Sequence, residues 1–446
     1  MNTATAGAAP GGAEAPAGRS YRELWLITIG HALTHWYPAT FYLLLPIIGN
    51  ELGLSFSQIG LIMTCQYIAG AVANVPGGVL VDTVGRKGLL MGVSLFWVGF
   101  PYLLMSFTHS YLLLLACVAL VGVGNSLWHP TAIPTLARRF PERKGYVLSL
   151  HGMGGNAGDA LAPLVVGALL GWLSWRQVVV VNVVPGLVMS LLILVFLGTL
   201  RLGGKAGAKA GGNGGSATGS TTGSKPAGAA TAGKTDDEPS QSLADYARGL
   251  RALFRNRSLV LLSTSGAFRS MTQNALLTFL PLFLAREMGY SPLYIGSAMF
   301  ALQAAGLLAS PIAGHLSDKL GRRSVLMTSM AMTAVVLVFM AVAGRSNFFV
   351  FFIAVLGFFL YAIRPVIQAW TLEATPRNMG GSSIGILFGA QSLGASIAPL
   401  LGGVIADRWG LGATFYFLAG TIVAANLFIL GMPHEAPHEA ARSQAP

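Results

Sequence analysis

Twelve stretches of this chain are apolar for long enough to cross the ~30 Å hydrocarbon core of a bilayer, and nothing else in the sequence constrains its fold as strongly. They fall at about 23–48, 57–81, 88–108, 111–137, 145–172 and 177–200, then at 258–285, 292–317, 324–343, 348–373, 380–406 and 411–432. Backbone polar groups in lipid must be bonded within their own segment, so each stretch reads as a helix. The composition agrees: 53% of the residues are hydrophobic and 10% charged, where a soluble chain carries about a quarter charged residues. The expected fold is an all-α polytopic membrane protein with 12 transmembrane helices.

Basic residues set an orientation. Of the 28 Lys and Arg, 22 fall in the N-terminal tail, the C-terminal tail and the loops on the same side as the tails. Four (Arg176, Arg286, Arg345 and Arg408) fall on the other side, and Arg269 and Arg364 lie within spans. The positive-inside rule then expects both termini in the cytoplasm of a bacterial inner membrane. The net charge of +12 is therefore a topology signal, and no nucleic-acid partner is expected. Residues 1–20 read as a disordered tail, 21–201 as a first six-helix bundle and 202–257 as a linker. Residues 258–433 read as a second bundle and 434–446 as a tail. The linker is Gly/Ala/Ser/Thr-rich over 203–242, too polar to build a core, and 243–257 has the pattern of a short amphipathic helix. Cys65 and Cys117 sit inside apolar runs without ligand spacing, and no metal, cofactor or enzyme motif is expected.

The two halves repeat. Gly78-Val-Leu-Val-Asp82-Thr-Val-Gly85-Arg86-Lys87 recurs 236 residues on as Gly314-His-Leu-Ser-Asp318-Lys-Leu-Gly321-Arg322-Arg323. Gly158…Pro163 recurs as Gly394…Pro399 at the same offset, as do Gly53, Gly60 and Gly70 in Gly289, Gly296 and Gly306. The expected architecture is two pseudo-symmetric six-helix bundles. In the decapeptide, the first Gly would permit close helix approach and the second would turn the chain. The Asp would cap or pair across the loop, and the basic pair would meet carboxylates or headgroups. Gly158, Pro163, Gly394 and Pro399 read as helix-packing positions.

This duplicated loop resembles the signature of the major facilitator superfamily, over about residues 22–433. The resemblance implies two bundles that rock about a central cavity, and the loop as a latch stabilising the outward-facing state. Ala119–Pro130, Gly154–Gly158 and Leu161–Leu164, with His31 and Pro46, resemble the fosmidomycin-resistance branch, which implies proton-driven drug efflux. The chain departs from that branch at His35, where Asp is expected, at Thr131, where an acid is usual, and at Asp159, where a small polar residue is usual. Val118 also stands where proton-coupled drug antiporters carry Arg.

Ionisable residues inside spans cost at least ~2.5–3.5 kcal/mol each and need a reason. His31 and His35 share one face of the first helix, on the cavity in the resembling family, and suit substrate hydrogen bonding or proton relay. Asp159 and Glu373 are candidate proton carriers with His35, Asp159 equally as a static partner of Arg or His. Glu373 also reads as an interfacial or gating acid, His129 as satisfying backbone freed by Pro130, and His151 as a gate or interfacial residue. Arg269 and Arg364 cannot shed their charge, and read as contacts for a carboxylate, phosphonate or phosphate. The alternative is permanent pairing with an acid such as Asp159. Among the aromatic residues Trp36, Tyr37, Tyr42, Trp128, Phe279, Phe359 and Trp370, a minority is expected on the cavity. The expected function is proton-coupled efflux of a small anionic or amphiphilic organic compound by a functional monomer. Proton-coupled import of an organic acid is the alternative, and a non-transporting sensor the rival from another class.

Overall fold

The computed structural model describes residues 20–200, 251–346, 348–376 and 379–432. The expected tails, most of the linker and residues 243–250 of the amphipathic segment lie outside them, while its residues 251–255 are helical. The first half comprises α1 (Ser20–Glu51), α2 (Phe56–Thr83), α3 (Lys87–Met105), α4 (Tyr111–Asn125), α5 (Trp128–Arg139), α6 (Lys144–Leu169) and α7 (Trp175–Leu197). The second comprises α8 (Arg257–Arg286), α9 (Pro292–Leu320), α10 (Arg322–Ala343), α11 (Phe348–Glu373), α12 (Gly380–Trp409) and α13 (Leu411–Leu430).

The fourth run, read from sequence as one span, is broken into α4 and α5 at Ser126–Leu127. Pro130 falls just after the break: it has no N–H to continue the ladder, and the first turn of a helix accommodates it without loss. The break sets His129 at the start of α5. Counting α4 and α5 as one segment, the described residues hold twelve helical segments. Among the described residues nine of these helices are long and apolar enough to span by composition alone. The three long helices outside that set are α1, α6 and α8, which carry His31, His35, Asp159 and Arg269.

Elsewhere the ends follow local rules. Ser55 and Ser174 close capping boxes with Gln58 and Gln177, which satisfies backbone donors at the starts of α2 and α7. Gly53 and Gly289, a repeat pair, both turn with positive φ (60° and 66°), a conformation open to Gly at little cost.

The repeat is carried into packing. In the first half α1 packs on α6, α2 on α4 and α3 on α7, and the second half matches with α8 on α12, α9 on α11 and α10 on α13. The halves meet through α2 against α12 and α6 against α9. A Cβ at Gly60 would overlap the carbonyl of Pro399, and one at Gly296 would overlap that of Pro163. Because 60/296 and 163/399 are both repeat pairs, one contact is made twice, crosswise. Gly403 against Phe56 and Gly167 against Pro292 repeat the relation. These contacts sit at the ends of the helices farthest from the linker. There Asp407 of α12 also accepts from the Phe56 and Ser57 amides of α2 at 2.7 and 2.9 Å.

Toward the linker the halves part. Nothing lies within 4 Å of a Cβ built at Gly78, Gly145, Gly314, Gly385 or Gly389, and Val79, Tyr146 and Phe388 are exposed. The expected close approach at Gly78 and Gly314 is therefore absent in this state, because both glycines lie where the bundles separate. Gly321 has φ 86° and Gly85 does not have positive φ, so only in the second copy does the turn use a conformation that favours Gly.

Candidate functional site: a polar centre between the halves

Glycines on α6 decide what α1 meets. Cβ atoms at Gly154 and Gly158 would overlap the carbonyls of Thr28 and Ala32, and one at Gly155 would strike the rings of His31 and His35. With no side chains in the way, α6 lies flush against α1 and brings Asp159 to His35, with Nδ1 to Oδ2 at 2.9 Å. Gly394 repeats the arrangement against Ala267 in the second half.

Around that pair lies a histidine cluster wider than the sequence suggested. His31 is buried, its Nδ1 2.7 Å from the carbonyl oxygen of His151 and its Nε2 3.1 Å from Nε2 of His129. The His151 ring stacks on that of His31 with centroids 3.9 Å apart, and both its nitrogens are buried without a partner. His129 thus bonds the His31 ring, and His151 is a buried member of the cluster. A carbonyl only accepts, so His31 Nδ1 carries a proton.

The second-half side of the centre is cationic. Arg269 is buried to 3% exposure. It donates to Gln273, one turn along α8, and its Nε is buried without an acceptor. Among the described residues no ion pair involves Arg269 or Arg364, so the expected alternative, pairing with Asp159, is not what this state contains. Arg364, on α11, is exposed. The hydroxyl of Tyr361 is buried and unpartnered. Tyr67 on α2 donates to Asn274 on α8 at 2.6 Å and is hydrogen-bonded to Tyr42, closing the centre across the halves.

Tyr67, Gln273, Asn274, Tyr361 and Gln391, whose amide nitrogen is buried without a partner, were not among the sequence candidates. A polar residue one turn from Arg269 was the available signal for Gln273. Of the aromatic candidates, Tyr42 reaches this centre. Tyr37, Trp128 and Phe279 are core residues against Gly186, Gly30 and Gly402.

Glu373 is not part of it. It is exposed at the linker end of α11 and pairs with Arg322 at 2.8 Å, which also pairs with Asp318 at 2.6 Å. In this second copy of the decapeptide, Arg323 donates to the terminal carbonyls of α13, Leu430 at 3.0 Å among them. In the first copy Lys87 donates to the Val81 carbonyl, and the Asp82 side chain lies outside the described set.

Comparison with known proteins fits this geometry. The profile of the Major Facilitator Superfamily matches residues 24–268 and 262–446. The phosphoglycerate transporter protein of Salmonella typhimurium is 25% identical over 419 residues, 91% of this chain and 87% of that protein. A bacterial homologue of the lysosomal transporter Spinster, solved inward-facing and unoccupied, superposes with a TM-score of 0.72 at 16% identity, covering 93% of this chain and 95% of that one. The nucleoside transporter NupG gives 0.70 at 13% identity, covering 92% and 100%.

Proposed function

The chain belongs to the major facilitator superfamily, and from that premise we propose that it is a secondary active transporter of a small organic anion bearing a phosphate, phosphonate or carboxylate group. Arg269 is the observation that carries this reading. A guanidinium is held in a membrane helix, buried, with an unpartnered Nε and no carboxylate paired to it among the described residues. An oxyanion accepts two parallel hydrogen bonds from such a group, and Gln391, whose unpartnered amide packs at Gly266 one turn before Arg269, supplies a further donor. The relative from Salmonella, whose name gives phosphoglycerate as its cargo, is in keeping with this chemistry.

With both termini cytoplasmic, the state described is inward-open. The crosswise Gly/Pro contacts seal the outer ends while the decapeptide ends stand apart. Rocking about these contacts would bring Gly78 and Gly314 into close approach in the opposite state, where the Asp318–Arg322–Glu373 network would act as the latch. We place the coupling proton on the Asp159–His35 pair, a carboxylate–imidazole contact between α1 and α6, and we place Glu373 in the latch. The resemblance of residues 119–164 to the fosmidomycin-resistance branch favours efflux in exchange for protons. Proton-coupled import of the same anion is the second reading. The test is uptake of radiolabelled phosphorylated and carboxylated metabolites into proteoliposomes, with and without a pH gradient. No transport of any such anion, with neutral or cationic drugs carried instead, would overturn the reading.

A further inference from the structure

We propose that His31, His35 and His129 form a binding site for one divalent transition-metal ion of the zinc class. This departs from the expectation, drawn from sequence, of no metal. Each of the three offers a ring nitrogen, and the three nitrogens lie within 4.8 Å of one another.

The neighbours of these rings prepare them as ligands. His31 gives its Nδ1 proton to a backbone carbonyl, and His35 Nδ1 lies against a carboxylate oxygen. Both neutral rings are thus held as the tautomer whose Nε2 lone pair is bare. This is the outer-shell pattern around metal-bound histidine, with the second nitrogen held by a carbonyl or a carboxylate. At Zn–N of about 2.0–2.1 Å, two nitrogens across a tetrahedral angle stand about 3.3 Å apart. His31 Nε2 and His129 Nε2 are already 3.1 Å apart. Without a metal, His129 must donate its Nε2 proton to His31. Coordination moves that proton to Nδ1 of His129 and leaves all three rings neutral.

Three protein nitrogens with a fourth position free are the set of an exchangeable site, whereas structural sites close all four. Access is available: the side chains of His35 and Asp159 are 28% and 31% exposed. The fourth position is left for water or the transported anion. The site shares His35 and Asp159 with the proposed proton pair, so metal and coupling proton exclude one another. To that extent the inference rests on the function proposed above, but metal binding itself is measured without transport.

The test uses the full chain in detergent, its affinity tag removed and the protein treated with chelator. Because the tail carries His434 and His438, both are first replaced by alanine. Equilibrium dialysis against Zn²⁺ with elemental analysis is expected to give one ion per chain, and Co²⁺ to give the visible bands of a tetrahedral site. His35→Gln and His129→Gln should each weaken binding on the order of 100-fold, and Asp159→Asn by about 10- to 100-fold through the outer shell. Zn²⁺ should raise the melting temperature of the wild type and leave that of a His31→Gln/His35→Gln/His129→Gln chain unmoved. No stoichiometric ion in the wild type, or equal binding and equal thermal protection in the triple variant, overturns the site. Arg269→Ala should hold its metal. Failure of anion transport alongside intact metal binding counts against the transport reading alone, and the reverse result against the metal site alone.

Discussion

Nδ1 of His35 lies 2.9 Å from Oδ2 of Asp159, joining α1 to α6 at the middle of the first bundle. If this pair carries the coupling proton, Asp159→Asn removes gradient-driven transport and spares exchange of substrate across the membrane. Proteoliposomes loaded on both sides with labelled anion separate the two activities. Unchanged pH-driven transport in the variant would assign coupling elsewhere.

The buried guanidinium of Arg269 should dominate substrate affinity. A hydrogen bond to a charged group contributes about 1.5–3 kcal/mol, so Arg269→Ala should weaken anion binding roughly 10- to 100-fold. Arg269→Lys should lose less, keeping the charge but not the fork, and Arg364→Lys less again. Calorimetric binding to each purified variant, beside its melting curve, tests this. Normal affinity with a much lower melting temperature would make Arg269 a structural residue.

The crosswise contacts of Gly60 with Pro399 and Gly296 with Pro163 predict a conformational shift. Overpacking a tight interface costs about 1–3 kcal/mol, so Gly60→Leu should open the outer ends in a matching fraction of molecules. Gly296→Leu should do the same through the repeat. Spin-label distances between α2 and α12 report it, and an unaltered distribution in both variants contradicts the interface.

The network of Asp318, Arg322 and Glu373 should affect rate more than stability. Asp318 and Glu373 are 62% and 51% exposed, and exposed ion pairs contribute up to about 1 kcal/mol. Asp318→Asn and Glu373→Gln are expected to lower turnover with little change in melting temperature. Full turnover in both variants removes the latch role from this copy.

At the outer end of α1, beyond its apolar run, hydrogen bonds from the Trp175 indole and from Arg176 hold the Glu51 carboxyl below its usual range. A depressed carboxylate contributes stability that is complete above the unfolded value of about 4.3. That contribution declines as pH falls below this value and is gone below the folded one. Glu51→Gln should therefore flatten the acid limb of the melting profile and leave the neutral limb nearly parallel. An identical acid limb would show that the contact carries no linkage.

Much of the fold was legible because bilayer thickness and the cost of unpaired backbone act on each segment separately. The apolar runs, the 236-residue offset and the glycines at 60, 296, 158 and 394 could all be read locally. The break before His129 was missed because the run on either side of it stays apolar, and only Pro130 marks where the ladder fails.

The candidate site was legible in its residue types and not in its partnerships. His31, His35, Asp159, Arg269 and Arg364 stood out because a polar group in lipid needs a reason wherever it lies. Sequence alone thus determined that these groups are inside the membrane and that two related bundles hold them. Tertiary structure decided that Asp159 meets His35 and not an arginine, that His129 and His151 join His31, and that Glu373 belongs with Arg322. Hydrophobicity is a sum along the chain. A hydrogen bond depends on the distance between helices far apart in sequence, 124 residues for His35 and Asp159, and here that distance is set by which glycines let α6 lie against α1.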